Sequence, residues 1–266
     1  MLPTGAMQTM HHDVPGDFRI VDGTDISVPD GPTLAAKLVL NACLSANRSF
    51  ITLRDRQPEG ISIFEILDLR MLSGLVGEVV AGMLARESGV LIKNPNIDGY
   101  PDLLSADTQS RRDEIASAAI SNPSFFIKYP HGGIELKNTF GVKSPKAKDL
   151  VPGLSRIGAI NRRLEWKAHH RRTNHLLGLF SDFVDGCPQV VAAMYCDHLD
   201  QSDWSSKQQP KQGSAMTSFS VLQASGFEKM RKRVLFCRSE AEYLDFLFSD
   251  LPLRRRRGRP NDVEHR

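Results

Sequence analysis

Apolar residues first recur at helical spacing at Leu34, Ala35, Leu38, Val39 and Ala42, directly after Pro32 and Thr33. That pattern predicts a helix to about Asn47. Residues 1–31 before it are polar and broken by Pro and Gly, and read as a loosely held arm; Pro58 and Gly60 mark residues 54–60 as a loop. Ser62 and Glu65 stand at capping-box spacing ahead of an apolar run from Ile66 to Leu84, which predicts one long helix or two short ones ending near Gly89.

Beyond Gly89 the apolar runs shorten and turn residues separate them, the mark of strands. Residues 90–93 and 100–104 read as strands about a turn at 94–99, and residues 107–120 as a helix capped by Asp107 or Thr108. Residues 125–129 and 134–140 read as a hairpin about Pro130-His131-Gly132-Gly133. A Lys/Pro-rich linker at 143–153 leads to a helical stretch through Arg163, and 164–169 reads as a strand. A second hairpin, 175–184 with 189–196, flanks Asp185-Gly186; a strand edge at 218–223 and helices at 225–233 and 240–248 follow. This order implies an α/β fold with a central mixed β-sheet flanked by helices. The expected organisation is an N-terminal arm and helix at 1–60, a single domain at 61–250, and a basic tail at 251–266 expected to be disordered.

Composition narrows the class. The chain has 266 residues, 41% of them hydrophobic, with 34 Lys+Arg against 31 Asp+Glu, which is enough apolar material for a real core and excludes wholesale disorder. No window approaches 18 apolar residues, and the opening stretch lacks a basic n-region and an apolar h-region. A cytoplasmic protein without membrane contact is expected. Cys43, Cys187, Cys196 and Cys237 form no CxxC pair and read as reduced thiols.

The charge of +3 hides an asymmetry. Residues 13–30 carry five Asp against Arg19 alone, whereas residues 136–172 carry ten Lys and Arg against Asp149 and Glu165. Besides Lys137, that basic stretch holds Lys143, Lys146, Lys148, Arg156, Arg162, Arg163, Lys167, Arg171 and Arg172, with His169, His170 and His175 at its end. A polyanion is the natural partner; a solvated basic face is the alternative reading. The histidines lack an HExxH or cysteine companion, so they read as phosphate or base contacts, or plain surface, rather than metal ligands.

Candidate chemistry lies in Pro101-Asp102 at a short strand, Glu135-Leu136-Lys137 inside an apolar strand, and Glu78 on the preceding helix. The period of two puts Glu135 and Lys137 on one strand face and Leu136 on the other. One face then presents a hard oxygen ligand beside a cation, suited to Mg²⁺, which needs only one or two carboxylates and keeps its remaining waters. Such an ion polarises a phosphoryl oxygen and activates water, and Lys137 can orient or deprotonate that water or stabilise developing charge. Glu165-Trp166-Lys167 is a rival ExK, but Glu135 and Lys137 follow a Gly-Gly turn at a strand start, which favours them.

The run from Asn94 to Leu104, NPNIDGYPDLL, followed by Gly133-Ile134-Glu135-Leu136-Lys137-Asn138-Thr139, resembles the PD-(D/E)xK nucleases, and among them the type II restriction endonucleases. Thr173-Asn174-His175-Leu176-Leu177-Gly178-Leu179, then Asp182-Phe183-Val184-Asp185-Gly186 and Asp203-Trp204, add to the likeness, which spans about residues 72–235. The resemblance implies a restriction-endonuclease-like core, Asp102 and Glu135 as Mg²⁺ ligands, Lys137 as catalytic lysine and Glu78 as the helix acid that some members add. It also implies double-stranded DNA as substrate, and a homodimer in which each subunit cuts one strand. A repair or junction-resolving nuclease of the same fold and a non-catalytic DNA-binding regulator are the rival readings.

The tail holds four consecutive arginines, 254–257, and Arg257-Gly258-Arg259-Pro260 resembles the core of an AT-hook, whose extended Arg-Gly-Arg enters a narrow A·T minor groove. A nonspecific tether is the simpler alternative. If the basic stretch neutralises about six phosphates, the log–log salt slope of duplex binding should be near −5. Deleting residues 252–266 should weaken binding without unfolding the protein, and more on A·T-rich flanks if Arg257 and Arg259 read the groove. A flat salt dependence would mark the basic stretch as a solvated face.

Overall fold

The computed structural model describes residues 18–21, 23–58, 60–141, 153, 155–156, 164, 166–168, 173–207 and 219–248. The chain begins with short strands β1 (Phe18–Ile20), β2 (Ile26–Ser27) and β3 (Thr33–Leu34). The end of the expected loose arm is therefore built into a sheet. Helix α1 (Ala36–Asp55) runs past the predicted stop at Asn47 because Phe50 and Ile51 continue its buried stripe. Asn47 itself is fully buried, accepting the N–H of Val190 at 2.8 Å and donating to its carbonyl at 3.1 Å.

Between 62 and 89 the helix is broken: one turn, α2 (Ile63–Ile66), then α3 (Leu69–Ser88). Ser62 makes no side-chain cap, so the expected capping box does not form. The effective cap is Asp68, whose carboxylate accepts the N–H groups of Arg70 and Met71 at 2.8 and 2.9 Å. Gly89, with φ 65°, ends α3.

Strands β4 (Leu91–Lys93) and β5 (Leu103–Ser105), helix α4 (Gln109–Ser121) and strand β6 (Gly133–Thr139) follow. The expected strand at 125–129 is instead a 3₁₀ turn at Pro123–Phe126. Its aromatics fold locally onto α4: Phe126 and Tyr129 join Leu104, Ile115 and Ala118 in a small satellite core, and the Tyr129 hydroxyl donates to the Ser105 carbonyl at 2.8 Å. Strand β6 therefore does not pair with 125–129. It pairs antiparallel with β5 and parallel with β8 (Leu176–Val184), after the two-residue β7 (Lys167–Ala168). A parallel pair needs a crossover. The predicted linker and helix at 143–163 fall in that crossover, mostly outside the described residues.

The predicted hairpin β8–β9, with β9 at Cys187–Cys196, is present, turning at Asp185 (φ 50°) and Gly186 (φ 73°). After β10 (Ser220–Val221) and α5 (Ala224–Arg231), Val234–Arg238 forms β11, a strand that the pattern did not single out; α6 (Ala241–Phe248) follows. The main sheet is mixed and seven-stranded, in the order β1-β11-β9-β8-β6-β5-β4. Helices α1 and α3 cover one face around Val39, Phe50, Val76 and Leu84, while α5 and α6 cover the other around Trp166, Phe227, Met230 and Phe246. Coverage on both sides explains why every residue of β9 is buried. No helix among the described residues is long and apolar enough to cross a membrane.

Gly133 sets the close approach of β6 to β5. A Cβ there would stand 1.9 Å from the Leu103 carbonyl oxygen and 2.7 Å from Pro101 Cγ. Gly133→Ala should therefore cost about 3 kcal/mol or more and separate the two strands, read as a lower denaturant midpoint. A midpoint equal to wild type would show that β5 and β6 are not held at this spacing.

Candidate active site

Asp102 sits one residue before β5, and the register that pairs Leu103 with Ile134 places it opposite Glu135. The Asp102 carboxylate accepts the backbone N–H of Leu136 at 2.8 Å, which fixes its orientation. The ammonium of Lys137 then donates to the same Asp102 oxygen at 3.2 Å and lies 2.7 Å from Glu135 Oε1. Leu136, on the opposite strand face, enters the core beneath α3. The three expected residues thus converge around one ammonium nitrogen.

Their environments differ. Glu135 is 5% exposed, and its Oε2 is buried without a hydrogen-bond partner. Burial pushes its carboxyl well above the usual range; Lys137 opposes that shift and Asp102 adds to it. For Lys137 burial pulls the pKa down, but Glu135 and Asp102 together outweigh it, so its pKa ends above the ordinary lysine value. Lys137 is accordingly a cation here.

Scaffolding that spacing did not reveal holds Asp102 in place. The buried Asn94 donates its side-chain amide to the carbonyls of Pro101, at 2.9 Å, and Phe126, at 3.1 Å, while its Oδ1 accepts the Asn96 N–H at 2.9 Å. Its backbone N–H donates to the Asp102 carbonyl at 2.9 Å. Tyr100 bonds Thr173, and burial, with Glu135 nearby, raises its hydroxyl pKa to about 12. The peptide bond between Tyr100 and Pro101 is cis.

Asp102 and Lys137 open onto a cleft of about 1070 Å³ that α3 and β6 line. Glu78 lines it too, although it is exposed and ion-paired with Lys93 rather than with Lys137. Arg156 and Lys167 also line this cleft. Arg156 is buried, whereas Lys167 is exposed with its ammonium 4.6 Å from the Phe219 ring centroid. Glu165 of the rival ExK lies outside the described residues, as do Lys143, Lys146, Lys148, Arg162, Arg163, His169, His170, Arg171, Arg172, Arg257 and Arg259. His175 is half-buried rather than a free surface group: its Nδ1 lies 2.8 Å from the Tyr195 hydroxyl, and burial lowers its pKa.

A divalent cation suits Asp102 and Glu135, because two hard oxygens converge and the buried Glu135 Oε2 lacks the partner that an ion would provide. Cys196, Asp197 and His198 also place ligand atoms within 4.8 Å of one another. There, however, Asp197 already receives Ser27, His198 and Arg233, and burial raises the Cys196 thiol pKa, so that group is no match for Mg²⁺. No protein-family profile matches the chain, and neither a curated protein nor a solved structure does.

Asp102→Asn and Glu135→Gln should each weaken Ca²⁺ binding about tenfold or more, measured by calorimetry. Lys137→Met should tighten it, since the ammonium competes for the same oxygens. Weakening by Lys137→Met as large as that by the carboxylate variants would reject this division of roles.

Proposed function

We propose that this chain is a Mg²⁺-dependent nuclease, a type II restriction endonuclease that hydrolyses phosphodiester bonds at a specific double-stranded DNA sequence as a homodimer. The observation that carries the reading is the meeting of Asp102, Glu135 and Lys137 across β5 and β6, at the mouth of a cleft, with a buried carboxylate oxygen left over. Asp102 and Glu135 hold the metal, which when bound polarises a phosphoryl oxygen and lowers the pKa of a water. Lys137 keeps positive charge beside the phosphate, where negative charge develops in the transition state. Without the metal, its two carboxylate partners raise its pKa and hold it as a cation and a donor. Glu78 lines the same cleft from α3, paired with Lys93, and would add a further carboxylate near the ion.

A repair or junction-resolving nuclease would use the same groups on a differently shaped DNA. A non-catalytic DNA-binding regulator would have no need of Glu135, whose burial opposes its charge.

Incubating the protein with plasmid and Mg²⁺ should give discrete fragments whose sequenced ends share one site. Glu135→Ala and Lys137→Ala should each abolish cleavage while keeping duplex binding in Ca²⁺, because affinity comes from many phosphate contacts elsewhere. Wild-type cutting by either variant would overturn the mechanism; binding without any cutting by the unaltered chain would favour the regulator.

A further inference from the structure

Among the described basic residues of the central stretch, Lys137, Arg156 and Lys167, Arg156 is the one buried inside the protein. Only 5% of it is exposed, and its Nε is buried with no hydrogen-bond partner. The nearest carboxylate, Asp182, cannot satisfy it. That carboxylate, fully buried on β8, already accepts the Ser155 hydroxyl at 2.9 Å, the Arg156 backbone N–H at 2.6 Å, the Phe183 N–H at 2.8 Å and the Tyr243 hydroxyl at 2.6 Å. Asp182 thus anchors the main chain of Arg156 and leaves its guanidinium free to face the cleft. Burial lowers the guanidinium's pKa, opposed in part by Asp182.

A buried guanidinium whose Nε has no hydrogen-bond partner destabilises the fold unless something pairs with it. The cleft is where that partner can come from. Its lining carries five cationic side chains, Arg70, Lys93, Lys137, Arg156 and Lys167, against the three carboxylates Asp68, Glu78 and Asp102. Lys93 and Lys137 are already paired, and Asp68 is engaged in capping α3. Of these five cations, Arg156 is the buried one.

We infer that Arg156 forms an anion subsite in this cleft, and that its ligand is a phosphate of the bound nucleic-acid strand adjacent to the one addressed by Asp102 and Glu135. The register gives the direction. Lys137 pairs with Gly178, and Asp182 lies four residues further along β8, past a bulge after Phe180, so the main chain of Arg156 is anchored beyond the carboxylates, towards the C-terminal end of β6. A nucleic-acid strand held at the carboxylates would run along the cleft that Arg156 also lines, and bring a neighbouring phosphate to it. The planar guanidinium suits a phosphate because its donors match paired phosphoryl oxygens. The identity of the ligand as a strand phosphate rests on the nuclease reading; the existence of an anion subsite does not.

The test separates the two. Thermal unfolding of the full chain is followed against inorganic phosphate in chloride buffer without divalent metal, for wild type, Arg156→Gln, Arg156→Lys and Glu135→Gln. Phosphate should raise the Tm of wild type and Glu135→Gln, raise that of Arg156→Lys partially, and leave that of Arg156→Gln unmoved. Without phosphate the Tm of Arg156→Gln should equal or exceed that of wild type, because a buried guanidinium with an unsatisfied donor has been removed. Duplex binding in Ca²⁺ should fall about tenfold or more in Arg156→Gln, the loss of a charge-assisted contact, and far less in the exposed control Lys128→Gln. The subsite is overturned if wild type shows no phosphate response, or if Arg156→Gln lowers Tm while phosphate and duplex binding stay unchanged. A phosphate response at Arg156 in a protein that cuts no DNA upholds the subsite and rejects the nuclease reading.

Discussion

The antiparallel contact between β5 and β6 governs the rest of the site. It is short, pairing Leu103 with Ile134 and Leu104 with Gly133, and it closes only because position 133 has no side chain. That closeness brings the Asp102 carboxylate within reach of the Leu136 N–H, and the strand period then delivers Glu135 and Lys137 to the same place. On its other edge β6 is held by the parallel β8, so the motif strand is fixed from both sides. Helix α3 completes the enclosure, its Ser73 hydroxyl donating to the Asn138 carbonyl at 2.7 Å.

Burial divides the charged residues of the cleft into two kinds. Lys93 and Glu78 meet at the surface, where ion pairs contribute little to stability. Glu135 and Arg156 are held inside, each with a polar atom that the protein does not satisfy. The proposed metal and anion would each supply a partner to one of them.

Much of this was legible in sequence, and the exceptions have physical causes. The period of two in Glu135-Leu136-Lys137 and the glycines before it placed the motif strand correctly, because local pattern sets which face a strand residue takes. The aromatic run at 125–129 misled, because a short apolar segment supports a strand or a turn equally and its packing on Ile115 and Leu104 decides. The β11 segment was overlooked for a related reason: five residues buried throughout show no alternation. Asn94 could not be recognised, since its amide reaches the carbonyl of Phe126, 32 positions further along the chain, only once the segment between them has folded back. Nor could composition separate Arg156 from its basic neighbours, because only tertiary structure buries one and leaves Lys167 outside.

The same Asn94 amide has a mechanical consequence. By bonding the Pro101 and Phe126 carbonyls together, it fuses the loop before Asp102 to the turn after α4 into one stiff body. Ile97 and Ile127, both largely exposed, sit on the two limbs of that body. Beside the amide, the Tyr100 N–H donates to the Phe126 carbonyl at 3.2 Å and the Tyr129 N–H to the Tyr100 carbonyl at 2.9 Å, so both limbs are joined to the chain that leads into Asp102. The alignment of the carboxylates is thereby tied to the outer surface of the protein.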